Sequence, residues 1–291
     1  MILWTPSGVG DPFVFLPAGN TATFQGAAGN GNFVVLNRII PANSTRMQFD
    51  GNVVSRISAT NTAPGGTVLF YTPGGIILGA TAAFDVGSLV LTTLDVAFDT
   101  SGNIFQPDGS IQFRGTGSSG AIETLAGAQI NAAAEGSNVV FLGRSISHAG
   151  AVRVNGSAGY IAAQSVDLTF NAGLFDIVVN TGTNIATAIT HGGSTGGPAS
   201  TGAADRHAIY MVAAAQGTTT QLLMGGDIGF DDAASASVEN GVIYLSSGRT
   251  TPQITDYAQV FGTPIPTGTG AWKTMVPAPV PVGIGVPKTC A

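Results

Sequence analysis

Apart from Cys290, next to the last residue, the chain has no cysteine. A body without thiols has no disulfide framework and no thiolate metal site, and it suits the cytosol and an export route alike. Charge is equally scarce. Charged residues make up 9% of the chain, against roughly 25% in an ordinary soluble domain. Lysine occurs only at Lys273 and Lys288, the arginines are scattered singly from Arg38 to Arg249, and the net charge is −6. A phosphate backbone needs a clustered basic surface, so nucleic-acid binding is excluded. No apolar run reaches the ~18–20 residues of a spanning helix, which excludes membrane insertion by that route. The opening MILWTPSGVGDP has neither a basic n-region nor an apolar h-region, so an exported protein would carry its signal outside this sequence. Helical periodicity is missing too, and Ala132–Ala134 and Ala213–Ala215 are too short to nucleate a helix alone.

What is present is small and β-prone. The chain holds 42 glycines and is 44% hydrophobic. No Gly-X-Y period exists, which excludes collagen, and the supply of Val, Ile, Leu and Phe argues against disorder. Short β-type runs recur between Gly, Asn or Asp, among them Thr67–Tyr71, Gly75–Leu78, Leu89–Leu91, Val139–Leu142 and Val166–Phe170. In the last, Val166, Leu168 and Phe170 alternate with Asp167 and Thr169, the period of a half-buried strand.

A repeat organises these runs. GAIETLAGAQINAAAEGSNVVFLG, from Gly120, aligns with RSISHAGAVRVNGSAGYIAAQ, from Arg144. The alignment pairs Ile122 with Ile146 and Ile130 with Val154, then, after three residues are lost, Val140 with Ile161. Ile76 and Phe84 precede Ile122 and Ile130 by two further units in the same reading. Units of ~20–29 residues built from short strands and turns indicate a solenoid, because each coil buries its inward side chains only against its neighbours. The expected fold is all-β, a right-handed single-stranded parallel β-helix with an amino-terminal cap and extra-helical hairpins. A β-sandwich is the alternative. Ile2–Trp4 and the runs from Phe13 to Phe24 are the candidate cap. The expected divisions are a β-helix over 1–180, its continuation with a loop insertion over 181–262, and a Pro-rich linker or tail over 263–291. The insertion is the loop-like stretch Asn180–Ala204, and the tail carries six prolines.

Catalytic and metal-binding patterns are thin. His148 falls in a turn and His191 in a Gly-rich loop, and both are expected as surface or loop residues. Asp205-Arg206-His207 has the look of a triad fragment, but neighbours along a strand face opposite ways. Gly225-Gly226-Asp227, Asp231-Asp232 and Glu239 form an acidic cluster that meets neither a calcium-binding nonapeptide nor an EF-hand pattern. Asp85 and Asp95 are expected to cap turns. No phosphate loop or nucleophile elbow occurs. The expectation is a non-enzymatic protein with no cofactor and no metal.

Three segments carry a resemblance. VLNRIIP contains Asn37, Arg38 and Ile39. GGTVLFYTPGGIILGATAAFDVGSLVLTTLD contains Thr72-Pro73-Gly74-Gly75, and then Val86-Gly87-Ser88-Leu89-Val90-Leu91-Thr92-Thr93. With WTPSG and FLPAGNTATF before them, they resemble the filamentous-haemagglutinin type of two-partner-secretion exoprotein from about Phe13 to Gly248. The family shows Asn-Pro-Asn-Gly and Val-Gly-Gly-Leu-Val-Ala-Ser-Thr at the latter two elements, so both asparagines of the first are replaced here. The resemblance implies a secreted or cell-surface adhesin of a Gram-negative bacterium, with residues 1–180 as the secretion-type domain. An outer-membrane pore protein of the two-partner-secretion type would recognise it. Asn37, Arg38, Ile39, Pro73, Gly74 and Gly75 are the implied partner-binding residues. A host-cell, matrix or glycan target and self-association are the further partners such a protein admits. A self-assembling extracellular fibre and a β-helical polysaccharide lyase or hydrolase stand as alternatives.

Overall fold

The computed structural model describes residues 1–247 apart from 8–9, 28–32, 42, 117–118, 172, 202–204, 218, 232 and 240–241, with the backbone path alone over 233–247. The Pro-rich tail, both lysines and Cys290 lie outside the described residues.

The described elements are all strands, and they wind into a parallel β-helix. β1 (Ile2–Trp4), β2 (Phe13–Leu16) and β3 (Thr21–Gln25) form the first coil. β4 (Val34–Ile39), β5 (Met47–Phe49) and β6 (Asn52–Arg56) form the second, and β7 (Thr67–Tyr71), β8 (Ile76–Leu78) and β9 (Ala83–Asp85) the third. The next coil opens with β10 (Ser88–Thr92), leaves the solenoid for the antiparallel pair β11 (Asp95–Ala97) and β12 (Ile111–Arg114), and returns with β13 (Ile122–Thr124). β14 (Gln129–Gly143) closes that coil and, past a register shift between Ala132 and Ser137, opens the next, which continues with β15 (Ile146–His148). β16 (Ala151–Asn171) does the same and then runs out into a second excursion with β17 (Leu174–Gly182). β18 (Thr187–His191) and β19 (Ser194–Gly196) complete that coil. β20 (Ile209–Ala213), β21 (Gln221–Met224) and β22 (Asp227–Ile228) make the last described one, and β23 (Ala233–Glu239) pairs antiparallel with β24 (Val242–Ser247). One face is a 7-stranded parallel sheet, β2-β5-β8-β13-β15-β18-β21, with one strand from each coil.

The inward ladder on that face is Met47, Ile76, Ile122, Ile146 and Ile189, each paired in register with the next and all buried. Burying each such side chain contributes roughly 1.5–3 kcal/mol. Phenylalanines fill the wider part of the interior. Phe49 lies 5.1 Å from Phe70 and 5.5 Å from Phe15, whose ring meets Trp4 edge-on at 5.4 Å. The runs expected to cap the solenoid thus form its first coil and close its interior with aromatic rings.

A second core lies outside the solenoid. Leu36, Leu69, Val90, Val140, Leu142 and Ile161 point outward from the parallel face, where Val96, Ile111, Phe113, Val166, Leu168 and Phe175 of the two excursions cover them. These excursions are the expected extra-helical hairpins, joined through the antiparallel pairing of β12 with β16. Burial on both faces explains why β7 and β10 read as continuous apolar runs instead of alternating.

Three details of the repeat are corrected. Ile122 pairs with Ile146 as the spacing requires, but Ile130 pairs with Val152, not Val154. The corner after β13 spans 125–128, whereas the corner after β15 spans only 149–150, so two residues drop out there. The bulge inside β14 removes three more, and Ile161 faces Leu142 while Val140 faces Gly159. Ile76 and Phe84 lie directly beside Ile122 and Ile130, so the long interval between them is one coil lengthened by the β11–β12 excursion, not two units. The stretch 180–204, read as loop, carries β18 and β19, whose Ala188, Ile189, His191 and Thr195 are buried.

Candidate functional site

The three family-like segments lie on adjacent coils. β4 pairs with β7, placing Asn37 beside Phe70 and Arg38 beside Tyr71, and β7 pairs with β10, placing Tyr71 beside Thr92. Asn37 is fully buried: its Nδ2 donates to Leu69 O at 3.3 Å, and its Oδ1 accepts the indole N–H of Trp4 at 3.2 Å. Ile39 is also fully buried, inside the solenoid.

Arg38 points outward. Its guanidinium pairs with the Asp95 carboxylate and lies 5.6 Å from the centre of the Tyr71 ring. Its side chain is 25% exposed and that of Asp95 35%. Burial foremost, and then the neighbouring Asp95 charge, push the Tyr71 hydroxyl up to about 12. Arg38 Nε, Asp95 Oδ1 and Thr72 Oγ1 are buried without a hydrogen-bond partner. Such atoms need a water or a ligand group to be satisfied.

Pro73, Gly74 and Gly75 form the corner that follows. Pro73 O accepts Gly120 N at 2.7 Å, and Gly75 O accepts Met47 N at 2.8 Å, so the corner is bonded to the coils on both sides. A Cβ on Gly74 would stand 2.2 Å from Ser44 O and 2.3 Å from Thr45 O, and Gly75 has φ +123°. Backbone packed this closely requires glycine at both positions.

Asp95 and Tyr71 complete the Arg38 group, and sequence reasoning missed both because a hairpin excursion begins between them. Asp85 and Asp95 do not cap turns: Asp85 pairs with Arg56 at 2.7 Å, as Asp95 does with Arg38. Arg38 and Arg56 thus tie their coil to later parts of the chain. Asp231 of the expected acidic cluster pairs with Arg153 at 3.3 Å. Asp232 and the Glu239 side chain lie outside the described residues.

The histidines are not where the sequence suggested. His148 and His191 are buried at the ends of β15 and β18, in register, with ring centroids 4.9 Å apart. His148 Nε2 donates to Ser194 O at 3.2 Å, which leaves Nδ1 to accept from Thr124 Oγ1 at 2.6 Å. His191 takes the other tautomer: Nδ1 donates to Gly225 O at 2.8 Å, and Nε2 accepts from Thr195 Oγ1, which accepts from Tyr160. Desolvation lowers His148 to about 4. This ladder is a satisfied polar interior, sealed from substrate.

Asp205 and His207 share one face of their segment, since residues two apart in an extended chain point the same way. His207 Nε2 lies 2.6 Å from Asp205 Oδ1, and Glu135 stands beside them. The expectation that neighbours in Asp205-Arg206-His207 face opposite ways leaves this pair, two residues apart, free to meet.

No family model and no curated protein matches the chain. A crystal structure of the HMW1 secretion domain from Haemophilus influenzae matches with a TM-score of 0.45 and 16% identity, over 75% of this chain and 57% of that one.

Proposed function

We propose that this chain is the amino-terminal part of an exported two-partner-secretion exoprotein of the adhesin class, whose early coils are read by a dedicated outer-membrane pore protein. The observation that carries the reading is that the family-like segments fall on successive coils, in β4, in the corner after β7 and in β10, with β4, β7 and β10 paired side by side. Within that patch, Arg38 with Asp95 and the Pro73–Gly75 corner offer groups to a partner, while buried Asn37 and Ile39 hold the strand that presents Arg38. A stepwise solenoid also suits folding during emergence, because each coil adds apolar burial to those before it.

Export tests this directly. With the chain and its pore produced together in a Gram-negative host, Arg38→Ala should reduce secreted protein at least about tenfold while the purified variant melts within a few degrees of the parent. Undiminished export of Arg38→Ala would remove this patch from recognition.

Self-assembly is a second reading with its own support. Ile2, Leu3 and Trp4 are exposed on β1, whose described pairing is to β4 alone. An unpaired apolar edge is a template for another chain. Filaments in electron micrographs of concentrated protein would favour this reading, and uniform monomers would count against it.

A further inference from the structure

The bulge in β14 sets Glu135 next to a loop that contributes Asp205 and His207, and one ligand atom from each lies within 4.8 Å of the others. His207 is the decisive member. Its side chain is 1% exposed, and its Nδ1 donates to Pro198 O at 3.0 Å. That bond puts the proton of a neutral ring on Nδ1 and leaves a lone pair on Nε2. Nε2 makes no hydrogen bond, and it faces Asp205 Oδ1 at 2.6 Å off the line that a hydrogen bond needs. Two electron-rich atoms at this distance repel unless a positive charge joins them. A histidine oriented by a backbone carbonyl through its other nitrogen is the usual posture of a metal ligand.

The carboxylates are oriented as well. Asp205 Oδ2 accepts Thr201 N at 2.6 Å and Thr201 Oγ1 at 2.9 Å, which turns Oδ1 toward the imidazole. Glu135 Oε2 accepts Asn155 Nδ2 at 3.1 Å.

We infer that Glu135, Asp205 and His207 form a binding site for a divalent first-row transition ion of the zinc class, tying the loop before β20 to the bulge of β14. One imidazole nitrogen with two carboxylate oxygens is a borderline donor set that suits such an ion better than magnesium or calcium. Tetrahedral metal–ligand bonds of about 2.1 Å put neighbouring donors about 3.4 Å apart, so the Nε2–Oδ1 pair, 2.6 Å apart, must open by about 0.8 Å to admit the ion. Three protein ligands leave a position for water. The inference does not depend on the export reading.

The full chain, carrying Cys290→Ser to remove the one thiol and stripped with chelator, would be titrated with zinc chloride in a calorimeter. One ion per chain is expected, with a melting temperature raised by about 3 °C or more. Cobalt chloride should give visible absorption bands. His207→Gln and Glu135→Gln should each weaken zinc binding at least about tenfold, and because Glu135 is exposed, its variant decides the matter if His207→Gln fails to fold. Absence of zinc binding, unchanged affinity in Glu135→Gln, or stabilisation by calcium but not by zinc would each overturn the assignment.

Discussion

Trp4 donates its indole N–H to Asn37 Oδ1 at 3.2 Å, and the same Asn37 side chain reaches Leu69 O in the next coil through Nδ2. One buried amide therefore links three successive coils, and the residue that the family resemblance marks for a partner is spent on the fold. Removing it leaves the indole N–H and the Leu69 carbonyl without their partner. Asn37→Ala should destabilise the protein by about 2 kcal/mol, read as a lower denaturant midpoint. Arg38→Ala on the next residue removes an ion pair whose two side chains are about a quarter and a third exposed, and should change stability by less than about 1 kcal/mol. Equal losses from the two substitutions would contradict this division of labour.

Buried His148 makes the solenoid sensitive to acid. His148 titrates at about 4 in the fold, against 6.5 for a free imidazole, because burial penalises its charged form. The unfolded chain therefore binds more protons between these values. The contribution of His148 is complete above pH 6.5 and is lost as pH falls toward 4, to a total of about 3 kcal/mol. Urea midpoints measured across that window should fall more steeply for the parent than for His148→Gln, even though the variant starts lower at pH 7. Parallel slopes would show that His148 is not the buried proton site.

The Pro73–Gly75 corner predicts a contrast between two glycines. Gly74→Ala drives a Cβ to 2.2 Å from the Ser44 carbonyl oxygen and should cost about 2 kcal/mol or more. Gly102, in the turn between β11 and β12, has φ +82° and open space within 4 Å of where a Cβ would stand, so Gly102→Ala meets only the left-handed backbone penalty of about 1 kcal/mol. Thermal melts of the two variants, ordered the other way, would place the strain elsewhere.

The coil was legible in the sequence because Ile76, Ile122 and Ile146 keep their inward position whatever happens between them. The register beyond them was not. Corners that differ by two residues and a bulge at Glu135 leave no mark in hydrophobic pattern, so Val154 stood in for Val152. The excursions were hidden for a related reason: Val96 and Phe113 look like any coil residues until the outer face of β7 and β10 is seen to need cover. His148 and His191 misled because flanking glycines read as loop, whereas those glycines let the corners stack closely. The Asp205–His207 pair is visible from its spacing of two once the segment is taken as extended. Nothing local in the sequence announces Glu135 as its neighbour, since a fold-dependent contact brings it there.

The most direct measurement of the proposed function is binding of the purified full chain to the periplasmic domains of an outer-membrane pore encoded beside it, by pull-down and then by titration. Saturable binding is expected, weakened at least about tenfold by Arg38→Ala in protein whose circular dichroism and melting match the parent. Well-folded parent chain that shows no binding to those domains would contradict the export reading, and it would turn attention to self-assembly through the exposed edge of β1.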